Sequence, residues 1–230
     1  MRIVSNDRLI KRNARIGQIS SVAGLAVLGG GLLVSFQAPE QFALSWGALL
    51  VGFILSQIGL YFSNRWGRSP RPDEELTKAL KGLSQEYTLY HYSSPARHLL
   101  LGPAGLWVLA AYRQNGQISY INGKWKHTAA SRGFLLRRWF GQEGLGRPDL
   151  EIGGEIDAMK KFLDKTLSEE EQPGIQAALV FTGKEVALEA ESSPVPAVLA
   201  KKLKALIQRQ AKDHRISVEL KDQIQGLLEA

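Results

Sequence analysis

The pattern of apolar and charged positions divides the chain into a hydrophobic first part and a mixed second part. Residues 16–39 contain no Asp, Glu, Lys or Arg, and residues 41–64 are again free of charge, with Glu40 alone between them. As a helix of about 1.5 Å rise per residue, each run reaches about 36 Å, which exceeds a hydrocarbon core of about 30 Å. The two runs therefore predict a transmembrane helical hairpin over residues 16–64.

Basic residues flank this hairpin on both sides. Five Lys or Arg residues lie in the head, residues 1–15, and Arg65, Arg68 and Arg71 lie in the linker, residues 65–71, whereas the connecting loop has none. Because Lys and Arg collect on the cytoplasmic side, we expect the chain in the cell membrane, the inner membrane of a bacterium, with both termini cytoplasmic. A cleaved signal peptide or two buried helices of a soluble protein are the alternatives.

Small residues are dense in both apolar runs, for example at Ser20, Gly24, Gly47 and Gly52. Such side chains let helix backbones approach closely, which predicts packing within the hairpin or homo-oligomerisation through it. Neither run carries an ionisable group near its middle, so no charged side chain is available to bind or relay an ion across the membrane. The hairpin is therefore interpreted as an anchor in the lipid bilayer.

Residues 72–230 show the changing periodicity of an α/β domain. Pro72 and the acidic residues after it begin a helix that reaches about residue 86, and Asn122-Gly123 predicts a tight hairpin. Further helices are predicted near 155–167, over about 199–212 and after Ser217. The predicted strands cover residues 98–102, 106–112, 116–120, 124–127, 175–183 and 186–189.

Composition excludes some chemistry. The chain has no cysteine, so a disulfide framework and a thiolate metal site are both excluded. The net charge of +7 divides into +4 for residues 1–15, −1 for residues 16–64 and +4 for the remainder, which has 24 basic and 20 acidic residues. The soluble part is only mildly basic, so we expect at most weak nucleic-acid binding.

The segments "ARHLLLGPAGLWVL" (residues 96–109), "NGQI" (115–118) and "LVFTG" (179–183) follow the acidic first helix in a specific order. This order and spacing resemble the NERD domain, a nuclease-related domain of the PD-(D/E)XK nuclease-like scaffold, over residues 72–230. The resemblance implies a restriction-endonuclease-like α/β fold with a central mixed sheet flanked by helices. It also implies a metal site on the hairpin around the Gly-Pro-Ala-Gly turn.

In that family an acidic residue precedes a His of the first strand, and a Glu-x-Lys set ends the second. Two carboxylates then hold a divalent ion that polarises the phosphate. In this chain the acid before the His falls on Arg97, or on Ala96 if the alignment slips by one, and the Glu-x-Lys set falls on Ala110, Ala111 and Tyr112. Only the acid of the first helix has carboxylate candidates, which are Glu74 and Glu75. The resemblance therefore implies a retained hairpin without catalytic residues, bound metal or cofactor.

Two functions remain open. The first is a membrane-anchored, catalytically inactive NERD-like domain that acts as a binding or scaffolding module for an unknown protein partner. The second is an active metal-dependent nuclease whose acidic ligands come from elsewhere, such as Glu74, Glu86, Asp149 or Glu151. Divalent-ion binding separates the two, because only the nuclease requires it.

The histidines and the basic residues offer further candidates for binding. A structural role is expected for each histidine, since no metal-ligand spacing joins His91, His98, His127 or His214. Arg97, beside His98, is a candidate for phosphate binding. In "SRGFLLRRWF", basic and aromatic side chains interleave, which predicts docking on an anionic membrane surface. Packing of this segment on the domain, or nucleic-acid binding, are its alternatives. The residues concerned are Arg132, Arg137, Arg138 and Trp139.

Overall fold

A computed structural model divides the chain into two compact units. One unit is Asp7–Arg71, and the other joins Met1–Asn6 to Pro72–Ala230. The structure describes residues 1–128, 144–168, 172–213 and 215–229.

The first unit is a pair of helices with a short π-helical turn. Helix α1 covers Asp7–Gln37, α2 covers Phe42–Phe62, and the π-helical turn covers Ser63–Gly67. Both helices are long and apolar enough to cross a membrane. Helix α1 begins nine residues before the charge-free run, with Asp7 in its first turn, where an acid is favourable.

Small residues pack α1 against α2, as predicted. The buried glycines of α1 recur at every seventh position, Gly17, Gly24 and Gly31, and those of α2 are Gly52 and Gly59. A Cβ on Gly24 would lie 2.6 Å from a side-chain oxygen and 2.8 Å from a backbone nitrogen of the facing helix. The two backbones are therefore too close for any larger residue at these positions.

Substitution at this contact should separate the two helices. Gly24→Leu is expected to destabilise the hairpin by about 1–3 kcal/mol, because the new side chain has no space. Gly29→Leu is the matched control, since an added Cβ there meets nothing within 4 Å. Thermal loss of helical circular dichroism, measured on the full chain in detergent, should move only for Gly24→Leu. Equal shifts for the two variants would contradict this packing.

The second unit is an α/β domain. Its helices are α3 (Pro72–Ala79), α4 (Pro148–Leu163), α5 (Ala200–Asp213) and α6 (Val218–Glu229). Its strands are β1 (Arg2–Ser5), β2 (Thr88–His91), β3 (His98–Gly102), β4 (Gly105–Tyr112), β5 (Gly116–Ile121), β6 (Lys124–Thr128), β7 (Ile175–Phe181), β8 (Val186–Glu189) and β9 (Ala197–Leu199).

The main sheet is mixed and has the order β1-β2-β3-β4-β7-β9. Strand β3 is antiparallel to both β2 and β4, whereas β1 is parallel to β2, and β7 is parallel to both β4 and β9. A smaller sheet has the order β6-β5-β8. The predicted α/β class and its mixed sheet are confirmed.

Helices cover both faces of the main sheet. On one face, α3 and α5 bury Leu76 and Leu203 against the strands, and on the other face α4 and α6 bury Met159 and Ile224. Successive residues of β4 alternate between these two cores, so the strand is buried on both sides. Such a strand must be apolar at nearly every position, as "LWVLAAY" is.

Several boundaries differ from the sequence prediction. Helix α3 ends at Ala79 instead of about residue 86, and Gly82 shortly after it adopts a φ of +83°, which glycine tolerates best. Helix α4 begins at Pro148, where proline suits the first turn and Asp149 and Glu151 favour the helix start. The four-residue strand β8 was predicted but β1, β2 and β9 were not, since a pattern of three or four residues does not by itself distinguish a strand.

Candidate functional site

The hairpin predicted around the Gly-Pro-Ala-Gly turn is part of the main sheet. Leu99 lies opposite Val108, and Gly102 lies opposite Gly105, which adopts a φ of +88°. This conformation favours glycine and allows the tight reversal of the chain. The start of β3 and the end of β4 consequently lie at the same end of the sheet.

Arg97, Ala110 and Tyr112, where the resemblance implies the two acids and the lysine of a nuclease, carry no carboxylate and lie at this end of the sheet. Arg97 directly precedes β3, and Tyr112 is the last residue of β4. Ala110 is 5% exposed and Tyr112 is 7% exposed. A Glu or Lys side chain at either position of β4 would enter the core, which is costly for an unpaired charge.

Two glutamates of α4 hold Arg97. Its Nε donates to Glu155 Oε1, and its backbone N–H donates to Glu155 Oε2 at 3.0 Å. Its Nη2 lies 3.6 Å from Glu151 Oε2, and the same oxygen accepts a hydrogen bond of 3.4 Å from Tyr112 Oη. We refer to Arg97, Tyr112, Glu151 and Glu155 as the Arg97 cluster.

Burial and the neighbouring glutamates determine the charges of this cluster. Burial lowers the pKa of Arg97, but Glu155 and Glu151 together raise it by more, so the guanidinium remains protonated. Burial, followed by the negative charge of Glu151, raises the pKa of the Tyr112 phenol, which remains neutral and donates its hydrogen bond. The cluster thus contains a permanent cation beside two carboxyl groups.

This arrangement is unfavourable for a divalent ion. Glu151 and Glu155 have the oxygen atoms that Mg²⁺ prefers, but both already contact a guanidinium that would repel a second cation. The residual acid candidates Glu74 and Glu75 lie on α3, which packs on the opposite face of the sheet from α4. Within the described ranges, no three His, Asp or Glu side chains are grouped to hold a metal ion.

The relocated carboxylates of the alternative nuclease have separate partners. Glu86 Oε1 lies 3.2 Å from Arg215 Nη2, and Asp149 Oδ2 lies 3.2 Å from Arg147 Nη2. Glu151 belongs to the Arg97 cluster. The structure therefore gives these acids different local surroundings.

Sequence reasoning missed Glu155. It lies 58 residues from its partner Arg97, and no local pattern joins the two. The available signal was its position one turn after Glu151, which places both carboxylates on the same side of α4.

Two histidines form a buried pair at the junction of β2 and β3. His91 and His98 lie opposite each other, their Nδ1 atoms are 2.9 Å apart, and they are 2% and 4% exposed. Thr77 Oγ1 of α3 lies 2.9 Å from His91 Nε2. The chain Thr77–His91–His98 thus links α3 to the sheet, and His127 separately bonds the Asn115 carbonyl.

A cleft of about 570 Å³ opens between β1, α3 and β2. Charged, hydroxyl, imidazole and apolar groups share its wall, which gives it several kinds of contact for a small molecule. We refer to it as the α3 cleft. Its lining includes Ile3, Glu74, Thr77, Lys78, Lys81 and His91.

Some predicted residues cannot be placed. Arg132, Arg137, Arg138 and Trp139 of the proposed docking segment, and His214, lie outside the described residues.

No family model, curated protein or solved structure matches this chain.

Removal of Arg97 should destabilise the domain. In Arg97→Ala, the Glu155 carboxylate, which is 11% exposed, loses its guanidinium partner and keeps only the hydrogen bond from the backbone N–H of residue 97. We expect a loss of about 2 kcal/mol in the free energy of unfolding, between the values for exposed and buried pairs. Adding Glu155→Gln to Arg97→Ala should recover part of this loss, because no unpaired charge remains.

Denaturant unfolding of the full chain in detergent measures this effect, and Arg215→Ala is the control. Arg215 and Glu86 form an ion pair of similar type between exposed side chains, so its loss should cost less than about 1 kcal/mol. A cost for Arg97→Ala no larger than that of the control would contradict a role of the cluster in stability.

Proposed function

We propose that this chain is a membrane-anchored, nuclease-like domain that acts as a binding or scaffolding module and lacks metal-dependent nuclease activity. The observation that carries the proposal is the Arg97 cluster. A nuclease of the family that the hairpin resembles needs acidic oxygens around a divalent ion and a lysine near the phosphate. Here an arginine and a tyrosine stand at two of those positions, and they bind the nearby glutamates themselves.

The order of elements supports a NERD-like domain of the restriction-endonuclease type. Helix α3 is followed by three antiparallel strands, β2 to β4, then by α4 and by β7, which pairs parallel to β4. Helices pack on both faces of this sheet. This is the arrangement of a central mixed sheet between helices that the resemblance implies.

The surface of the helical hairpin supports a location in the lipid bilayer. Helices α1 and α2 are only 11% and 17% buried over their most apolar windows. Large side chains such as Leu25, Phe36 and Phe53 are exposed on them. A water-facing surface of this composition is unfavourable, whereas lipid chains would cover it.

The pairing of β1 supports a topology with both ends in the cytoplasm. Strand β1 directly precedes α1, and it pairs with β2, which follows α2 in the chain. Two strands of one sheet must share a compartment, so the start of α1 and the end of α2 belong on the same side. The basic flanks indicate that this side is the cytoplasm.

Further partners follow from this location. We also propose that anionic lipid is contacted by Arg132, Arg137, Arg138 and Trp139, since a short linker keeps the domain near the membrane surface. We further propose self-association through the hairpin and weak binding of nucleic acid. The net charge of only +4 beyond residue 64 supports low affinity for nucleic acid.

The full chain in detergent should not cleave DNA or RNA in the presence of Mg²⁺ or Mn²⁺. The full chain is used because β1 is part of the sheet. Calorimetric titration should also detect no specific binding of either ion. Ion-dependent cleavage that persists through purification and disappears in Glu74→Gln or Glu151→Gln would overturn the proposal in favour of a relocated active site.

The topology can be tested with reporter enzymes fused to the full chain. A reporter that is active only outside the cytoplasm should be silent when attached after Ala230. The same reporter inserted in the loop between α1 and α2, at residues 38–41, should be active. High activity of the C-terminal fusion would contradict the proposed orientation.

A further inference from the structure

The outward side of α5 is positively charged over residues 201–212. Its exposed residues recur at spacings of three and four, which places them on one side of the helix, whereas Leu203 and Ile207 are buried on the other. The cations on the exposed side are Lys201, Lys202, Arg209 and Lys212. The first and the last of them are separated by about 16 Å along the helix. Because the sequence has no Asp or Glu over residues 192–212, no acid interrupts this row of charges.

The end of α3 extends this positive surface. Lys204 Nζ of α5 donates a hydrogen bond of 3.3 Å to the carbonyl oxygen of Lys81, which brings the residues that follow α3 next to α5. Lys78 and Lys81 are both exposed there. We refer to the exposed cations of this surface together as the basic strip, which consists of Lys78, Lys81, Lys201, Lys202, Arg209 and Lys212.

The charges of the basic strip are available to a partner. None of its side chains forms an ion pair within the part of the chain that the structure describes. The acids of α3 lie in its first turn, at the other end of the helix from Lys78, and Asp73 and Glu74 already interact with other groups. Residues 65–230 have a net charge of +4, and without the strip they would have −2. The excess positive charge of the domain is therefore concentrated on this surface.

The connectivity of the chain keeps this surface close to the apolar hairpin in sequence. Helix α3 begins at Pro72, directly after the linker of residues 65–71, and α5 packs beside α3 over the same core. A surface that is tethered to its partner experiences a high effective concentration of that partner. Contacts that are individually weak are therefore sufficient for docking.

We propose that the basic strip docks on the anionic phospholipid surface of the membrane in which the hairpin is anchored, with its cations at the lipid phosphates. This inference rests on the proposed membrane anchor and adds a lipid contact separate from residues 132–139. The contact is electrostatic, because the exposed positions of α5 carry no aromatic or large aliphatic side chain that could enter the acyl region. Each Lys or Arg near an anionic surface adds to the attraction.

A membrane fits this surface better than a nucleic acid does. Single-stranded nucleic acid is bound through aromatic rings on which its bases stack, and the basic strip contains none. A long DNA duplex would also extend beyond the strip toward surfaces whose charges sum to a negative value. A planar lipid surface contacts one side of the domain only, so the distribution of charge on this domain favours the membrane.

Fluorescence of a labelled full chain in nanodiscs measures this contact. The chain has no cysteine, so Gln208→Cys or Gly154→Cys introduces a single site for a fluorophore. Gln208 is exposed on α5 between the cations of the strip. Gly154 is the matched position, because it is exposed on α4, across the sheet from α5, and an added Cβ there meets nothing within 4 Å. Nitroxide-labelled lipid head groups quench a fluorophore that lies close to the membrane surface.

In nanodiscs of phosphatidylcholine mixed with phosphatidylglycerol, we expect stronger quenching at residue 208 than at residue 154. Nanodiscs of phosphatidylcholine alone should show no such difference. Salt at about 1 M should also abolish the difference, because it reduces the screening length to about 3 Å.

A combined variant locates the contact. Changing Lys201, Lys202, Arg209 and Lys212 together to Gln should lower the ratio of docked to undocked domains by about tenfold or more, since several charges at the anionic surface are lost. The matched control makes the same change of charge at exposed lysines of β6 and α4, by Lys124→Gln, Lys126→Gln, Lys160→Gln and Lys161→Gln. The control should keep the quenching at residue 208. The unfolding temperature of each variant separates loss of docking from loss of folding.

Equal quenching at residues 208 and 154, quenching that does not depend on phosphatidylglycerol, or equal losses in the two combined variants would each overturn the proposal. Salt-sensitive binding of duplex DNA that is lost in the α5 variant, without quenching by lipid, would assign the strip to nucleic acid instead. A chain that does not enter nanodiscs would overturn the proposed anchor and this inference with it. A chain that enters them but shows no quenching at residue 208 would overturn the docking of the strip alone.

Discussion

Burial of β4 on both faces is the constraint on which the domain depends. Its residues alternate between the core under α4 and α6 and the core under α3 and α5. In a catalytic hairpin this strand would carry a glutamate and a lysine, and their charges would interrupt one of these cores. Ala110 and Tyr112 complete the packing instead. The side chains at these two positions thus allow a continuous apolar strand at the centre of the sheet.

The Arg97 cluster is the electrostatic counterpart of that packing. Glu155 is nearly buried, and a carboxylate in such a place needs a partner. Arg97 supplies two donors to it, one from the side chain and one from the backbone. A mobile divalent ion would have to be captured from solution, whereas a covalently attached guanidinium is always present. The end of the hairpin therefore has a fixed set of charges that pair with one another.

Pairing of β1 with β2 extends the main sheet of the domain. It brings the residues before α1 into the sheet that α3 covers, and it forms one wall of the α3 cleft. In the helical hairpin, glycines at seven-residue spacing lie between the two helices, and their small size allows close contact of the two backbones. Different contacts thus stabilise the two units: close backbone packing in the helical pair and two-sided hydrophobic burial in the domain.

The sequence alone determined the features that depend on neighbouring residues. The two apolar runs, the Gly102–Gly105 hairpin and the Asn122-Gly123 turn follow from local periodicity and from residues that tolerate positive φ. Long strands such as β4 and β7 were also visible because their apolar runs are continuous. Only the tertiary structure decided the partners of Arg97, the His91–His98 pair and the place of β1. These contacts join residues far apart in the chain, and their geometry exists only once the strands have paired and the helices have packed.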